Sequence, residues 1–368
     1  MPTGRTAAGM NTGPAGRRRT DQPDPPEDPG EQETVNGRQR AALIRTLVIS
    51  VICVAGLLAL LHFADRSADS VREVRETGNQ AFMDEGIVVW NGEKYRKKPA
   101  LTVLLLGGID KTAGDSGARK SSYRNGGQAD FLLLLAIDHG NRQIHQLQID
   151  RDTIADVTVL GVYGNETGTQ RLQVCLAHSF GSRPEDNAKY TVRAVRSILN
   201  GLEIDGYYMA DYSVVSTVTD LLDGVAVTIP EDMTGVNPEW YEGHTIVLDG
   251  KAAETFVRTR QSVGRGTNEE RMDRQAAYMR AMINRLKQRL SGDLSFSSEL
   301  LEATGRKACT SLSERELLEE LSESYAYEVL PVDRLPGEYV TAENGFVEFY
   351  CGEGSADEWI MNHLYSVR

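Results

Sequence analysis

The chain has 368 residues, 40% of them hydrophobic, and a formal net charge of -13. That length holds one large domain or two small ones plus tails, with enough apolar material for a sizeable core. The acidic balance, with no run of aromatics interleaved with lysine or arginine, excludes non-specific nucleic-acid binding as the main function.

Residues 1–40 are rich in Gly, Pro, Arg and acidic residues and almost lack large apolar side chains. Such a segment cannot bury enough surface to offset its ordering entropy and is read as a disordered tail. Residues 41–63 follow, and between Arg45 and His62 every residue is apolar or small. This predicts a transmembrane helix, with Arg45 reaching back to the interface. The apolar run begins too far from Met1 for a cleaved signal peptide. Arginines flank the span evenly, and Arg17, Arg18 and Arg19 place the N-terminus in the cytoplasm and residues 64–368 outside. Residues 64–98 are expected to form a stalk and linker, helical over 66–84 and a basic link over 95–98. Cys175, Cys309 and Cys351 show no C-x-x-C spacing, which argues against a zinc site. In an exported domain the expected disulfide joins Cys309 to Cys351 and leaves Cys175 unpaired.

A main domain is expected over 99–292. Residues 101–106 are an apolar run broken only by Thr102, leading into Gly107-Gly108-Ile109-Asp110. They predict a buried strand. Residues 111–127 are a polar loop. Its Gly114-Asp-Ser-Gly117 imitates a protease serine motif, and 114–121 nearly reads as a phosphate-binding loop. No histidine offers a triad context, however, and Arg119 stands where the second glycine is needed. Arg119, Lys120 and Arg124 instead suggest a basic loop over an anionic site.

Residues 131–137, opened by Asp130, predict a second strand, and 144–149, ending in Asp150-Arg151-Asp152, a third. If the three strands are antiparallel neighbours, Asp110, Asp130 and Arg151 converge at one sheet edge. Two carboxylates there suit a hard divalent cation that bridges to phosphate. Helices are predicted at 170–179, 184–199, 213–222, 250–259 and 268–290, and strands at 207–212 and 225–229. His178 reads as a structural histidine. The longest helix carries the stripe Met272, Ala276, Met279, Ile283, Leu286 and Leu290, with core spacing. Arg271 and Gln275 lie at the rim of that stripe, and Asn268 is expected to cap the helix. Residues 293–368 predict an α/β extension packed on the same domain, with helices at 313–323 and 356–364 and strands at 325–330 and 346–350. The fold class is α/β, a mixed central sheet flanked by helices on both faces.

The stretch 257–275 concentrates Arg258, Arg260, Arg265, Arg271 and Arg274 in an acidic chain. Arginine grips phosphate through a planar fork of donors, so the cluster points to an anion site. Arg258, Arg260, Arg271 and Gln275 are the expected working residues; Arg265 and Arg274 read as rim or surface charges.

The ordered set Gly108-Ile-Asp110, Asp130 before 131–138, Arg151-Asp152-Thr153, 177–181, 224–230, Arg258-x-Arg260 and Arg271-x-x-Arg274-Gln275 resembles the LytR-CpsA-Psr family. The resemblance spans roughly 101–290. It implies a bacterial, membrane-anchored phosphotransferase facing outward. Such an enzyme moves an anionic glycopolymer from a polyprenyl pyrophosphate carrier to peptidoglycan, with an apolar pocket for the lipid. It also implies Mg²⁺ (Mn²⁺ possible) on Asp110 and Asp130. Arg151, Arg258, Arg260, Arg271, Gln275 and Gln128 would bind the pyrophosphate. Asp130, Arg151, Arg258 and Arg260 would carry the catalysis. The partners implied are the lipid-linked glycan, peptidoglycan and the bilayer, with no nucleic acid. Two positions depart from the family pattern: Gln128 and Asn268 stand where arginine and aspartate are usual. They keep two alternatives open, a non-enzymatic binder of lipid pyrophosphate or wall polymer that regulates envelope assembly, and a polyprenyl pyrophosphate hydrolase.

Overall fold

The computed structural model describes residues 87–111, 126–260 and 263–368. The expected tail, membrane span, stalk helix and the basic residues Arg119, Lys120 and Arg124 lie outside them. Among the described residues no helix is long and apolar enough to cross a membrane.

The strands run in chain order as β1 (Ile87–Trp90), β2 (Glu93–Lys97), β3 (Leu101–Asp110), β4 (Gln128–Asp138), β5 (Gln143–Ile149), β6 (Ile154–Leu160) and β7 (Glu166–Gln173). A 3₁₀ turn, Val174–Ser179, leads to helix α1 (Pro184–Ile198), then β8 (Gly206–Asp211), α2 (Ser213–Leu221), β9 (Val225–Thr228) and β10 (Thr245–Leu248). Helices α3 (Gly250–Arg258), α4 (Asn268–Gly292) and α5 (Phe296–Gly305) follow, then β11 (Ala308–Thr310) and α6 (Glu314–Ser324). The chain closes with β12 (Glu328–Asp333), β13 (Gly337–Thr341), β14 (Val347–Cys351), α7 (Ser355–Leu364) and β15 (Tyr365–Val367).

The central sheet has the order β11-β8-β3-β4-β5-β12. It is mixed: β3–β4, β4–β5 and β8–β11 are antiparallel, while β3–β8 and β5–β12 are parallel. Residues 293–368 thus supply both edge strands of the sheet begun by residues 101–149. The apolar runs of β3 and β4 are continuous because both faces are covered. Val103, Leu105, Leu132, Leu134 and Leu147 pack on Ala188, Ala194 and Val195 of α1 and Trp359 of α7. On the other face Leu104, Leu106, Leu133 and Leu135 look toward α4 and α6.

Several expectations are corrected. Residues 170–173 are not helical but the end of β7, a polar strand held by pairing with β6 rather than by an apolar face. Residues 95–97 belong to β2, which pairs with both β1 and β15. Asn268 does not cap α4. Thr267 does, in a reciprocal capping box with Glu270, which frees the Asn268 side chain for other work. Cys309 and Cys351 are free thiols, not a disulfide. Cys309 sits on edge strand β11 beside Met209, and Cys351 pairs with Gly337 in a separate two-stranded sheet.

Candidate active site

Three strands and two helices, or the turns just after them, deliver charged side chains to one cleft of about 590 Å³, lined by Asp110, Asp130, Arg151, Tyr212, Arg258, Thr259, Arg260 and Arg271. The antiparallel order β3-β4-β5 brings the end of β3, the start of β4 and the residue after Asp150 to the same edge. The geometry at Asp130 comes from a β-bulge. Gly108 pairs with Phe131 and Ile109 with Ala129, so Asp130 is the extra residue. A bulge re-aims side chains. Here Asp130 lines the charged cleft while the next residue, Phe131, lines an adjoining apolar cavity, and Tyr212 is a wall of both. Gly127, at φ +77°, leads the chain into β4 in a conformation that favours glycine, where a Cβ would meet the Asp110 carbonyl oxygen at 2.6 Å.

Asp130 is gripped by two arginines. Arg151 Nη1 donates to its Oδ1, and Arg271 Nη1 donates to its Oδ2 at 3.0 Å. Arg151 is oriented further by Gln128 Oε1 at 2.7 Å, by the Cys175 sulfur at 3.1 Å and by an ion pair to Asp152 at 3.3 Å. Burial alone would pull the Arg151 guanidinium down, but the Cys175 sulfur as hydrogen-bond acceptor and the carboxylates of Asp130 and Asp152 hold it above the ordinary arginine range. Burial pushes the Cys175 thiol up to about 12, so it accepts from Arg151 as a neutral group at physiological pH. Burial also raises the Asp152 carboxyl, against the pull of Arg151. Arg258 Nη2 donates to Asp110 Oδ1 at 3.0 Å and Nη1 to Glu254 Oε1 at 2.8 Å, with the guanidinium 5.4 Å from the centre of the Tyr212 ring. Arg260 lines the cleft without a carboxylate within ion-pair distance among the described residues. Four arginines and two carboxylates line the cleft, while Asp152 and Glu254 pair with Arg151 and Arg258.

The apolar cavity of about 310 Å³ runs from Phe131 and Tyr212 beneath α2, α4 and α5. It shares Leu106, Tyr208, Met279, Met282, Leu286 and Leu301 with a further cavity of about 280 Å³ that reaches α6. The stripe read as core on α4 therefore faces an unfilled space in its middle: Met279, Ile283 and Leu286 are only half-buried and line these cavities.

Residues 61–351 match the LytR_cpsA_psr family. The chain belongs to this family. Among its relatives, the polyisoprenyl-teichoic acid–peptidoglycan teichoic acid transferase TagV of Bacillus subtilis is 25% identical over 258 residues, 67% of this chain and 58% of that protein. The transferase TagU of Oceanobacillus iheyensis is 28% identical over 238 residues, 63% of this chain and 65% of that protein. The match spans less than two thirds of either relative's length. Two solved structures share the fold. One is B. subtilis TagV, with a TM-score of 0.54 and 20% identity over 73% of this chain and 98% of the other. The second is TagT bound to LIIa-WTA, with a TM-score of 0.54 and 20% identity over 73% and 92%.

Both departures from the LytR_cpsA_psr pattern have a local explanation. Gln128 does not line the cleft; its carbonyl holds Arg151, a contact that an arginine, having only donors, could not make. Asn268 lies between an acid and a cation. Its Oδ1 accepts from Arg271 Nη2 at 2.6 Å, and its Nδ2 donates to Asp150 Oδ1 at 2.9 Å. An aspartate at 268 would set a second carboxylate against Asp150.

The structure also rearranges the arginine cluster. Gln275 is not in the cleft. It is buried one layer below, donating to Tyr212 Oη at 3.2 Å and accepting from Gln148 at 3.1 Å. Arg271 is fully buried rather than at a rim. Arg274, expected at the surface, has no exposed area. It pairs with Glu231, and it donates to the carbonyls of Phe256, at 3.1 Å, and Thr259. It anchors the turn that carries Arg258 and Arg260. Arg265 is exposed, as expected. Sequence reasoning missed Tyr212. Its signal was position: it follows β8, which runs parallel to β3, so it ends beside Asp110.

Proposed function

We propose that this chain is a membrane-anchored phosphotransferase of the bacterial cell surface. It moves an anionic glycopolymer from a polyprenyl pyrophosphate carrier to peptidoglycan. One observation carries this reading: an arginine-rich cleft and a deep apolar cavity share the Tyr212 wall, meeting at the consecutive residues Asp130 and Phe131. A molecule with a pyrophosphate head and an isoprenoid tail matches that pairing of surfaces. The relatives named as teichoic acid transferases support the same class of reaction. The span expected at residues 41–63 would tether the domain outside the membrane.

In the proposed step, Arg151, Arg258, Arg260 and Arg271 bind the non-bridging oxygens. A sugar hydroxyl of peptidoglycan attacks the glycan-side phosphorus. The bond from that phosphorus to the bridging oxygen breaks, polyprenyl phosphate leaves, and the hydroxyl proton passes to cleft water. The product is a phosphodiester. The arginines stabilise charge that grows on the leaving phosphate, and positioning with electrostatics suffices for such chemistry. Among the described residues no group of three His, Cys, Asp or Glu is placed to hold a metal. Asp110 and Asp130, now held by Arg258, Arg151 and Arg271, are the hard oxygen donors of the cleft and would hold Mg²⁺ by sharing those oxygens, with phosphate and water at the other positions. When bound it would neutralise charge on the phosphate oxygens.

The test incubates the full chain in detergent with a polyprenyl-pyrophosphate glycan, Mg²⁺ and peptidoglycan oligomers. Glycan joined to the acceptor is the expected result. Release into water alone would replace the transferase with a hydrolase, and tight binding without turnover would leave a binding module. Arg258→Ala and Arg260→Ala, both at partly exposed positions, should lower turnover about 10²- to 10³-fold with unchanged melting. Wild-type turnover in either variant would remove that residue from the site.

A further inference from the structure

A second polar pocket, about 250 Å³, shares no lining residue with the arginine cleft. Its walls come from the end of β5, the start of α4 and the C-terminal segment around β13 and β14. Asp150 and Glu269 line it, and Arg334, the one cation of the wall among the described residues, is already committed. Arg334 donates to Asp273 at 2.7 Å and to Gln148 Oε1 at 3.0 and 3.2 Å. An anion would therefore meet acid in this pocket, not free positive charge. Thr153 also lines it, 2% exposed, with a buried hydroxyl that has no hydrogen-bond partner among the described residues. Tyr339, on β13, is 45% exposed, packs on Phe349 at 4.8 Å and donates its hydroxyl to Asp150. An exposed aromatic face, the Glu269 carboxylate and an unclaimed hydroxyl, in a small pocket whose described cation is already paired, suit a neutral ligand rich in hydroxyls.

The pocket is wired to the cleft. Tyr339 donates to Asp150, which accepts from Asn268, which accepts from Arg271, which donates to Asp130. We propose that this pocket is a subsite for one sugar unit of the acceptor glycan, set beside the pyrophosphate cleft. The proposal rests on the transferase reading above. Tyr339 stacks on the apolar face of the ring, and the polar wall receives its hydroxyls. The separation of charge sorts the two substrates: the anionic donor goes to the arginines, the uncharged sugar to the acid-lined pocket.

Calorimetry on the full chain in detergent tests it with two probes, an uncharged N-acetylglucosamine tetrasaccharide and inorganic pyrophosphate. The wild type should bind both. Tyr339→Ala should weaken the tetrasaccharide about tenfold and leave pyrophosphate unchanged. Thr153→Val, close in shape, should weaken the tetrasaccharide in the same direction, and it serves if the tyrosine variant misfolds. Absent tetrasaccharide binding, or binding indifferent to both variants, overturns the subsite. Equal weakening of both probes also overturns it, leaving the pocket as a mere support for Arg271. Tyr339-dependent tetrasaccharide binding without any transfer would fail the transferase reading while keeping the glycan subsite.

Discussion

At the scale of single residues, Asn268 is understood through Asp150. The asparagine offers an acceptor to Arg271 and a donor to Asp150, so both neighbours are satisfied by one neutral amide. Asn268→Asp keeps the acceptor and replaces the donor by a second buried carboxylate. At neutral pH this should cost roughly 1–3 kcal/mol of stability. Two carboxylates in contact hold a shared proton more readily than either would alone, and that proton can donate, so the deficit should shrink as pH falls. Urea unfolding of the variant at pH 7 and pH 5 measures this, and an equal deficit at both pH values would sink the account. Asp150→Asn combined with Asn268→Asp restores a donor between the two and should recover part of the loss, because the Asp152 backbone N–H that also donates to Asp150 Oδ1 then lacks its acceptor; a double-mutant cycle would show this. Nothing in residue 268 alone announces this partnership, because Asp150 is 118 positions away.

At the scale of elements, the connection from α3 to α4 depends on Arg274. Its fork holds the carbonyls of Phe256 and Thr259 while Glu231 balances its charge. Burial pulls this guanidinium down to about 10, which still leaves it charged at physiological pH. Arg274→Met would strand Glu231 and free the turn that presents Arg258 and Arg260. Breaking a buried pair from one side costs about 3–5 kcal/mol. A clear fall in thermal midpoint is therefore expected, together with weaker pyrophosphate binding; an unchanged midpoint would show that the anchor is dispensable. Much of the element order was legible. Strands β3, β4 and β5, helix α1 and helices α2 to α4 were all marked by apolar runs or by 3.6-residue periodicity. Strand β7 was not, because its residues Glu166–Gln173 hold a single large apolar side chain, Leu172, and owe their conformation to pairing with β6.

At the scale of the whole molecule, buried histidines tie stability to pH. Burial, with His363 beside it, pulls His145 down to about 4, and burial with Lys111 pulls His178 to about 4. His178 shares a hydrogen bond with Thr191 at 3.1 Å. Each imidazole has a folded pKa below its unfolded value of 6.5, so its contribution is complete above 6.5 and is lost as pH falls toward 4. Each adds a slope of up to ~1.4 kcal/mol per pH unit within that window. Urea midpoints should fall between pH 7 and pH 5, and His178→Gln should flatten the fall; a level profile would contradict it.

The sequence by itself determined the fold class and the meeting of Asp110, Asp130 and Arg151. Both follow from chain order, since consecutive strands are commonly neighbours in the sheet and the ends of antiparallel neighbours share an edge. Only the tertiary structure decided which arginines face the cleft and which, like Arg274, lie inside. A guanidinium carries the same charge and the same helical spacing in either place, and only a distant acceptor makes burial affordable. The structure also decided that the stripe on α4 borders a cavity. Periodicity reports which face leaves water, but whether opposing side chains fill the space beyond is a property of the assembled layers.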